Sequence, residues 1–222
     1  MALSASGDTI LDARYEAPTD RYAHGVLGDA IEYGTLALTL EGGVTRRFSL
    51  PETAVFEDTA PRLVDLYGDA RPEVIVVESD QRRGARLAIY TSEGRLTATP
   101  YIGTRFRWLA PVGAADLDQD GSVEIAYVDR PHLAKTLRIW RFDAGGLTEV
   151  ASLPGVTNHR IGEEDIAGGL RDCGGGQEMI LADATWRSLL ALRFDGADIT
   201  LREIGTDTSR PVFASAMACE AP

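Results

Sequence analysis

The most informative segment of the chain is Asp116-Leu117-Asp118-Gln119-Asp120-Gly121-Ser122-Val123-Glu124. It carries three carboxylates at alternate positions, then a glycine and a fourth carboxylate. A hard cation takes about six to eight oxygen ligands, and aspartates at every second position of a tight loop turn their carboxylates inward. Gly121 allows the backbone to reverse its direction. The segment therefore predicts a Ca²⁺ site in which Ser122 contributes a backbone carbonyl and four carboxylates contribute side-chain oxygens: Asp116, Asp118, Asp120 and Glu124.

The alternative interpretation of this segment is a solvated acidic turn, because short motifs also arise by chance. An EF-hand loop begins in the same way, but its twelfth position needs a bidentate Glu. Counting from Asp116, the twelfth position is Tyr127, and the flanking sequence is β-rich rather than helical. The EF-hand is therefore excluded. With Glu124 at the ninth position and a strand directly behind it, the loop resembles the calcium loop of FG-GAP and VCBS-type repeats, which form the blades of one β-propeller family.

Degenerate copies of the acidic loop recur along the chain. The run 60–77 lies 51 positions before its match at 111–126, and the run 167–181 lies about one such period after it. The first copy keeps Asp65, Asp69 and Glu73 but has Tyr67 at the middle ligand position, so we do not expect a second calcium site there. The last copy has lost the acidic pattern.

Four predicted hairpins follow the same period. Each is an alternating pair of strands around a turn rich in glycine or acidic residues. They span residues 35–50, 85–100, 136–154 and 189–204. Short strands that repeat every 40 to 55 residues or so are typical of a propeller or a related array.

These repeats predict an all-β fold: a small β-propeller of four blades with four antiparallel strands each. One blade is split between the termini, because residues 8–50 supply three strands and residues 211–219 read as a lone innermost strand that closes the ring without an open sheet edge. The other blades span about 60–100, 111–154 and 164–204, and residues 1–222 form a single domain. A five-bladed ring would need a further inner strand at 21–28.

The composition indicates an acidic protein. Its 222 residues include 22 basic and 34 acidic ones, which gives a net charge of −12 and an isoelectric point near 4.7. We expect no nucleic-acid partner, because phosphate binding needs a Lys/Arg surface and Lys135 is the only lysine. No apolar run approaches the length of a membrane span, so we expect none, and we expect a monomer. No signal peptide is recognisable, and we interpret the start of the sequence as one from which a leader was removed.

The two cysteines predict a disulfide. In the blade alignment, Cys173 and Cys219 occupy equivalent turns of neighbouring blades, where their thiols would face each other. Such a bridge would favour an oxidising compartment, periplasmic or secreted. The alternative is a pair of free buried cysteines that pack as small apolar residues.

A second candidate site lies among the remaining loops and blade connections, on the side of the predicted propeller opposite the calcium loop. All three histidines fall in these loops, and none falls on a predicted strand. Histidines, arginines and aromatic side chains at the mouth of a propeller suit a ligand with an anionic group and an apolar or sugar-like body. We predict ligand contacts from six residues: His24, Arg107, Trp108, His132, His159 and Arg160.

Each of these six residues also has a purely structural interpretation. Trp108 would cap the core between blades, His132 would be a turn residue after Pro131, and His24 would hold its own long loop by hydrogen bonds. The prediction of a ligand site rests on their convergence rather than on any one of them.

Three functional classes remain open. The resemblance to FG-GAP and VCBS propellers implies a calcium-stabilised, extracytoplasmic module that recognises a glycan, a peptide or a protein. The alternatives are a hydrolase or lyase, in which histidines serve as acid and base and Arg107 or Arg160 holds an anionic substrate, and a carrier in which three histidines bind a transition metal. No nucleophile elbow, phosphate-cradling loop or His-Glu-x-x-His motif occurs, so a non-catalytic module is the preferred prediction.

Overall fold

The computed structural model describes residues 9–220, which form an all-β, propeller-like fold of antiparallel sheets with one short α-helix. The predicted fold class is confirmed. The chain divides into two compact units, Met1–Trp108 and Leu109–Pro222. The prediction of a single domain at 1–222 stays a prediction. Within residues 9–220, no helix combines the length and the apolar character that crossing a membrane requires.

The first unit holds eight strands in one antiparallel sheet, in which a short central strand joins a three-stranded part to a four-stranded part. The strands are β1 (Ile10–Thr19), β2 (Glu32–Leu40), β3 (Thr45–Ser49), β4 (Ala54–Phe56), β5 (Arg62–Val64), β6 (Glu73–Asp80), β7 (Gly84–Thr91) and β8 (Gly94–Ala98).

The second unit holds two antiparallel sheets and the helix. The first sheet has four strands: β9 (Leu109–Ala115), β10 (Val123–Asp129), β11 (Thr136–Asp143) and β12 (Gly146–Pro154). The second sheet has five strands, and the helix follows them: β13 (Val156–Thr157), β14 (Gly169–Asp172), β15 (Gln177–Asp183), β16 (Leu189–Phe194), β17 (Ile199–Gly205) and α1 (Arg210–Met217).

All four predicted hairpins are confirmed as the pairs β2/β3, β7/β8, β11/β12 and β16/β17. Their turns contain glycines with positive φ, for example 125° at Gly94 and 92° at Gly196. A β-carbon is disfavoured in that region, which explains why glycine marks these turns in the sequence.

The ranges 60–100, 111–154 and 164–204 each contain a four-stranded antiparallel sheet segment, and their assignment as three blades of one propeller stays a prediction. In each segment the strands pair in chain order, as β5–β8, β9–β12 and β14–β17. The acidic loop 116–122 joins the first strand of its segment to the second, as the alignment required. Loops 65–72 and 173–176 join the equivalent strands of the other two segments.

Apolar side chains at every second position of the strands form the hydrophobic cores. In the first unit, Leu36, Leu38 and Leu40 of β2 pack into one cluster with Val74 and Val76 of β6. A strand places every second side chain on the same face, so one alternating run fills one core. In the second unit, the equivalent apolar cluster draws on β10, β11, β15 and β16.

The predicted inner strand at 211–219 is wrong, because residues 210–217 form the helix α1. Pro211 stands in the first turn of this helix, where its missing N–H costs nothing. The following residues, Phe213 to Met217, are rich in alanine and lack β-branched side chains, which favours a helix. Phe213 and Ala216, three positions apart, face the core of the second unit. The N-terminal sheet segment therefore consists of β1, β2 and β3, and Asp8, the first residue of the predicted blade, lies outside the described residues.

The long loop 20–31 contains no strand, so the additional inner strand that a five-bladed ring required is not formed. The loop is nevertheless packed, because Tyr22 and Val26 are buried. The Tyr22 hydroxyl accepts a hydrogen bond from the N–H of Phe106 at 2.9 Å.

The predicted disulfide between Cys173 and Cys219 is confirmed, with Cα atoms 5.6 Å apart. The geometry differs from the expected one, because Cys219 follows a helix rather than ending a strand. The bridge ties the end of α1 to the loop after β14.

Replacing both cysteines by serine is expected to lower the free energy of unfolding. A bridge between residues 46 positions apart restricts the unfolded chain, and the entropy model assigns it about 4 kcal/mol. Chemical denaturation of the double variant and of the oxidised protein measures the difference. The substitution Ser215→Ala on α1 is the control, and an unchanged midpoint in the double variant would contradict the stabilising role.

Candidate functional site

The acidic loop is organised by the first aspartate and the last glutamate of its motif. Asp116 accepts the N–H groups of Asp120 at 3.1 Å and Gly121 at 3.0 Å, one on each carboxylate oxygen. Glu124, which is buried, accepts the N–H of Leu117 at 3.0 Å. Gly121 takes φ 92°, a conformation that glycine adopts without strain. These bonds fold the loop back over the start of β10.

The three aspartates of the loop form a group with metal-type ligand atoms. One carboxylate oxygen from each of Asp116, Asp118 and Asp120 lies within 4.8 Å of the other two. Glu124 is not part of this group, and its two oxygens accept hydrogen bonds from Leu117 and Arg141. The donor set is all oxygen, which suits a hard cation such as Ca²⁺.

Arg141 on β11 is the cationic partner of the loop. Its Nε donates to Glu124 at 2.7 Å, and its Nη2 contacts both Asp118 and, at 3.1 Å, Asp120. Strand register accounts for this position, because Glu124 and Arg141 are direct neighbours in the β10/β11 ladder. Burial raises the pKa of Glu124, while the hydrogen bond from Arg141 acts in the opposite direction.

The loop 65–73 repeats the same hydrogen bonds 51 positions earlier. Asp65 accepts the N–H groups of Asp69 at 3.1 Å and Ala70 at 2.8 Å, and Glu73 accepts that of Leu66 at 3.1 Å. Ala70 stands at the position of Gly121 and also has a positive φ, 63°. The match extends from sequence to individual bonds, so these two loops are copies of one structural repeat.

The residues of the second candidate site in the first unit gather around Glu57. His24 Nδ1 lies 2.5 Å from a carboxylate oxygen of this fully buried residue, and the Ser79 hydroxyl donates to the other oxygen. The His24 ring stacks on Phe106 with centroids 5.0 Å apart. Burial raises the pKa of Glu57, and His24 opposes that shift. His24 is thus held by a carboxylate on one side and an aromatic ring on the other.

Trp108 and Arg107 belong to the same neighbourhood. Trp108 is 2% exposed, and its indole N–H donates to the carbonyl of Glu57 at 2.8 Å. Arg107 is half-buried and donates to the carbonyl of Phe106 at 2.9 Å. Trp108 therefore supports the cluster from inside, whereas Arg107 retains accessible surface.

Two further buried acids lie near Glu57. Glu32 and Asp58 are almost fully buried. Burial is the largest cause that raises the pKa of Glu32 to about 9, and the negative charge of Glu57 is the next. Asp58 differs because Arg62 pairs with it, through an Nη2 that lies 3.0 Å from its Oδ1. Glu32 therefore remains protonated at neutral pH.

In the second unit, His132 and His159 contact each other. His132 Nε2 lies 3.0 Å from His159 Nδ1, and His159 Nε2 lies 2.9 Å from the carbonyl of Glu163. Since a carbonyl only accepts, neutral His159 carries its proton on Nε2 and accepts on Nδ1 from His132. Burial lowers the pKa of His159, which keeps this ring neutral. His159 is fully buried and His132 is half-buried.

Arg160 lies beside this pair in sequence and is held in place by stacking. Its guanidinium sits 3.8 Å from the ring centroid of Trp186 and donates to the hydroxyl of Thr208 at 3.2 Å. Glu163 lies 3.6 Å away as an ionic partner. The six predicted residues thus form two clusters: His24, Arg107 and Trp108 in the first unit, and His132, His159 and Arg160 in the second.

Several residues of these sites cannot be predicted from the sequence. Glu57, Ser79 and Arg141 stand on or beside strands with no motif around them, and only strand register brings them to their partners. The one signal that the sequence offers is that the acidic residues Glu57 and Asp58 directly follow the apolar run Ala54–Phe56.

Replacing Glu32 by Gln is expected to stabilise the protein at neutral and alkaline pH. The pKa of Glu32 is about 9 in the folded protein against its ordinary 4.5. Between these values the unfolded chain has lost the proton that the folded state retains, so stability falls as pH rises. The Gln variant lacks this pH-dependent loss of stability. The difference in free energy of unfolding between the variant and the parent should therefore grow from about pH 5 to about pH 8. Thermal melts at both pH values measure it.

Glu41→Gln, at an exposed position of the same unit, is the matched control for this substitution. A Glu32→Gln advantage that is independent of pH, or equal to that of the control, would contradict the raised pKa.

Comparisons with known proteins agree with the repeat architecture. No curated protein matches the sequence of the chain. Among the solved structures that it resembles is the crystal structure of the exotype rhamnogalacturonan lyase YesX, at 13% identity and a TM-score of 0.48. That match covers 92% of this chain and 50% of the lyase chain, so the protein spans about half the length of that enzyme. Residues 65–127 match the family model of the FG-GAP-like repeat. The stretch that contains both acidic loops is therefore similar to an FG-GAP-like repeat, as the motif predicted.

Proposed function

We propose that the protein is a calcium-stabilised recognition module that acts outside the cytoplasm. One observation carries the proposal: the group formed by Asp116, Asp118 and Asp120, within a loop that belongs to an FG-GAP-like repeat. The disulfide between Cys173 and Cys219 favours a periplasmic or secreted location, because such bridges persist in oxidising compartments.

The calcium ligands in this proposal are the three aspartates and the backbone carbonyl of Ser122. Ca²⁺ bound there would neutralise their charges and fix the loop against β10. Glu124 holds the loop through the N–H of Leu117, so its role is to shape the site rather than to complete the set of ligands.

In this proposal each loop cluster forms a recognition surface of its own, one in each unit. His24, Arg107, His132 and Arg160 retain accessible surface, while Trp108 and His159 are buried and position the loops. Imidazole and guanidinium groups beside aromatic rings suit a glycan, a peptide or a protein ligand that carries an anionic group.

A catalytic role for His24 is the second candidate. Its contact with the carboxylate of Glu57 is the arrangement by which an acidic residue orients a histidine base. We do not propose a transition-metal carrier, because His132 and His159 direct ring nitrogens at each other and the second nitrogen of His159 donates to a carbonyl.

Calcium is expected to raise the midpoint of thermal unfolding, and EGTA is expected to lower it. A ligand that binds only the folded state at a hundredfold excess over its Kd adds about 2.7 kcal/mol. Asp118→Asn should abolish the response to calcium, while Asp143→Asn, an exposed residue at the end of β11, should preserve it. An unchanged midpoint in EGTA, together with no calcium by elemental analysis, would refute the site.

Arrays of glycans and peptides are expected to reveal a ligand. Arg107→Ala should weaken binding of a ligand at the first cluster, and Arg160→Ala should weaken binding of a ligand at the second. Loss of one charge-assisted hydrogen bond corresponds to about tenfold in affinity. Arg14→Ala, an exposed arginine of β1, is the control. A ligand whose affinity is unaffected by both loop substitutions would place recognition elsewhere, and a variant His24→Gln that binds normally but loses turnover would favour catalysis.

A further inference from the structure

The third copy of the repeat loop differs in charge from the other two. Register pairs Arg171 with Glu178, as it pairs Ala115 with Glu124, so Asp172 stands where Asp116 stands in the acidic loop. The stretch between the paired residues is two positions shorter here and reads Asp-Cys-Gly-Gly-Gly-Gln. Only the first of the three loop aspartates remains.

Three arginines surround the carboxylate that the third copy retains. Arg171 on β14, Arg193 on β16 and Arg202 on β17 each donate to Glu178, at 2.8, 3.0 and 3.0 Å. They come from three strands of one sheet, and together with Glu178 on β15 they form a row across its face. Their convergence is therefore set by strand register and not by a local motif.

The equivalent rows in the other copies contain fewer arginines. Arg141 occupies the position of Arg193 beside Glu124, and Thr91 occupies it beside Glu73. The number of arginines on the shared glutamate rises from none to one to three, while the loops contain two, three and one aspartates in the same order. The charge of the loop region is thus inverted in the third copy.

One carboxylate cannot neutralise three guanidinium groups. Arg171 also donates to the carbonyl of Ala216 and so holds α1, and Arg193 also donates to the carbonyl of Gly175 in the loop before β15. Among the described residues, Arg202 donates only to Glu178. The arginines hold the pKa of Glu178 at about 2, although burial acts in the opposite direction.

A cavity of about 730 Å³ opens at this cluster. The side chains of Arg193 and Arg202 line it and are 47% and 58% exposed, whereas Arg171 is 8% exposed. Within residues 9–220, Nη2 of Arg193 and both Nε and Nη1 of Arg202 have no protein acceptor. The cavity therefore presents guanidinium donors that are not used by the protein.

Two acidic residues also line the cavity. The carboxylate of Glu203 accepts a hydrogen bond from the Ser188 hydroxyl at 2.7 Å, and Glu220 follows the helix at the exposed end of the described chain. Neither of them contacts the three arginines. They lie at the border of the cluster and do not neutralise its guanidinium groups by direct contact.

We propose that this cavity binds an oxyanion, namely a carboxylate, sulfate or phosphate group of a small ligand, between Arg193 and Arg202. Arg171 and Glu178 fix the two arginines in place from below. Guanidinium groups bind such anions through charge-assisted hydrogen bonds, which are stronger than neutral ones. The site includes no residue of the loop clusters and none of the three aspartates, although Arg193 also lines a smaller neighbouring cavity with Asp118.

Isothermal titration of the full chain with sodium sulfate, phosphate and citrate at low ionic strength tests the proposal, with sodium chloride at matched ionic strength as the reference. Saturable binding of at least one of the three anions is expected. Preference for sulfate or phosphate would identify a tetrahedral oxyanion, and preference for citrate would identify carboxylates. Arg193→Gln and Arg202→Gln should each weaken binding about tenfold, and Arg202→Lys, which keeps the charge, should weaken it less.

Arg187→Gln is the matched control, because Arg187 is an exposed arginine of the same unit and does not line the cavity. Thermal melts of every variant verify folding. If a Gln variant does not fold, the weaker anion binding expected of Arg202→Lys provides the test. Absence of saturable binding by all three anions would overturn the proposal. Equal weakening in Arg187→Gln and Arg202→Gln would also overturn it, because it would show a general effect of charge.

Discussion

One buried glutamate at the start of the second strand organises each copy of the repeat. Glu73, Glu124 and Glu178 are each at most 6% exposed. In the first two copies this carboxylate accepts a backbone N–H from the loop, and in the third it is held by arginines. A buried carboxylate is costly unless it is paired or hydrogen-bonded, so the loop must close over it. The position of every other charged group near the loops follows from this constraint.

The partners of that glutamate give each copy a different chemistry. The glutamate has no arginine partner in the first copy, one in the second and three in the third. The local charge therefore changes from negative to positive, while the strands stay in the same register. Each strand contributes one side chain to the row, so a single substitution alters the site without disturbing the ladder. Under the two proposals, the same sheet segment provides a cation site in the second copy and an anion site in the third.

Patterns that are local in sequence were predictable, and those that depend on packing were not. The hairpin turns and the acidic loop follow from glycine and aspartate at fixed spacings, and the structure has them where the sequence indicated. The strand predicted at Pro211–Cys219 follows from the need to close the ring, whereas the alanines of this run favour the helix α1. The contact between His24 and Glu57 joins residues 33 positions apart, and the arginine cluster joins four strands. Nothing within a short window of sequence specifies either.

The contacts of Arg141 have a consequence for the acidic loop. Four carboxylates in so small a segment would repel one another if they were bare, and folding would then depend on a bound metal. The guanidinium supplies an internal counter-ion, since it contacts Asp118, Asp120 and Glu124 at once. The loop is therefore folded and partly neutralised by the protein itself, and a cation bound as proposed would replace Arg141 as the counter-ion of these aspartates.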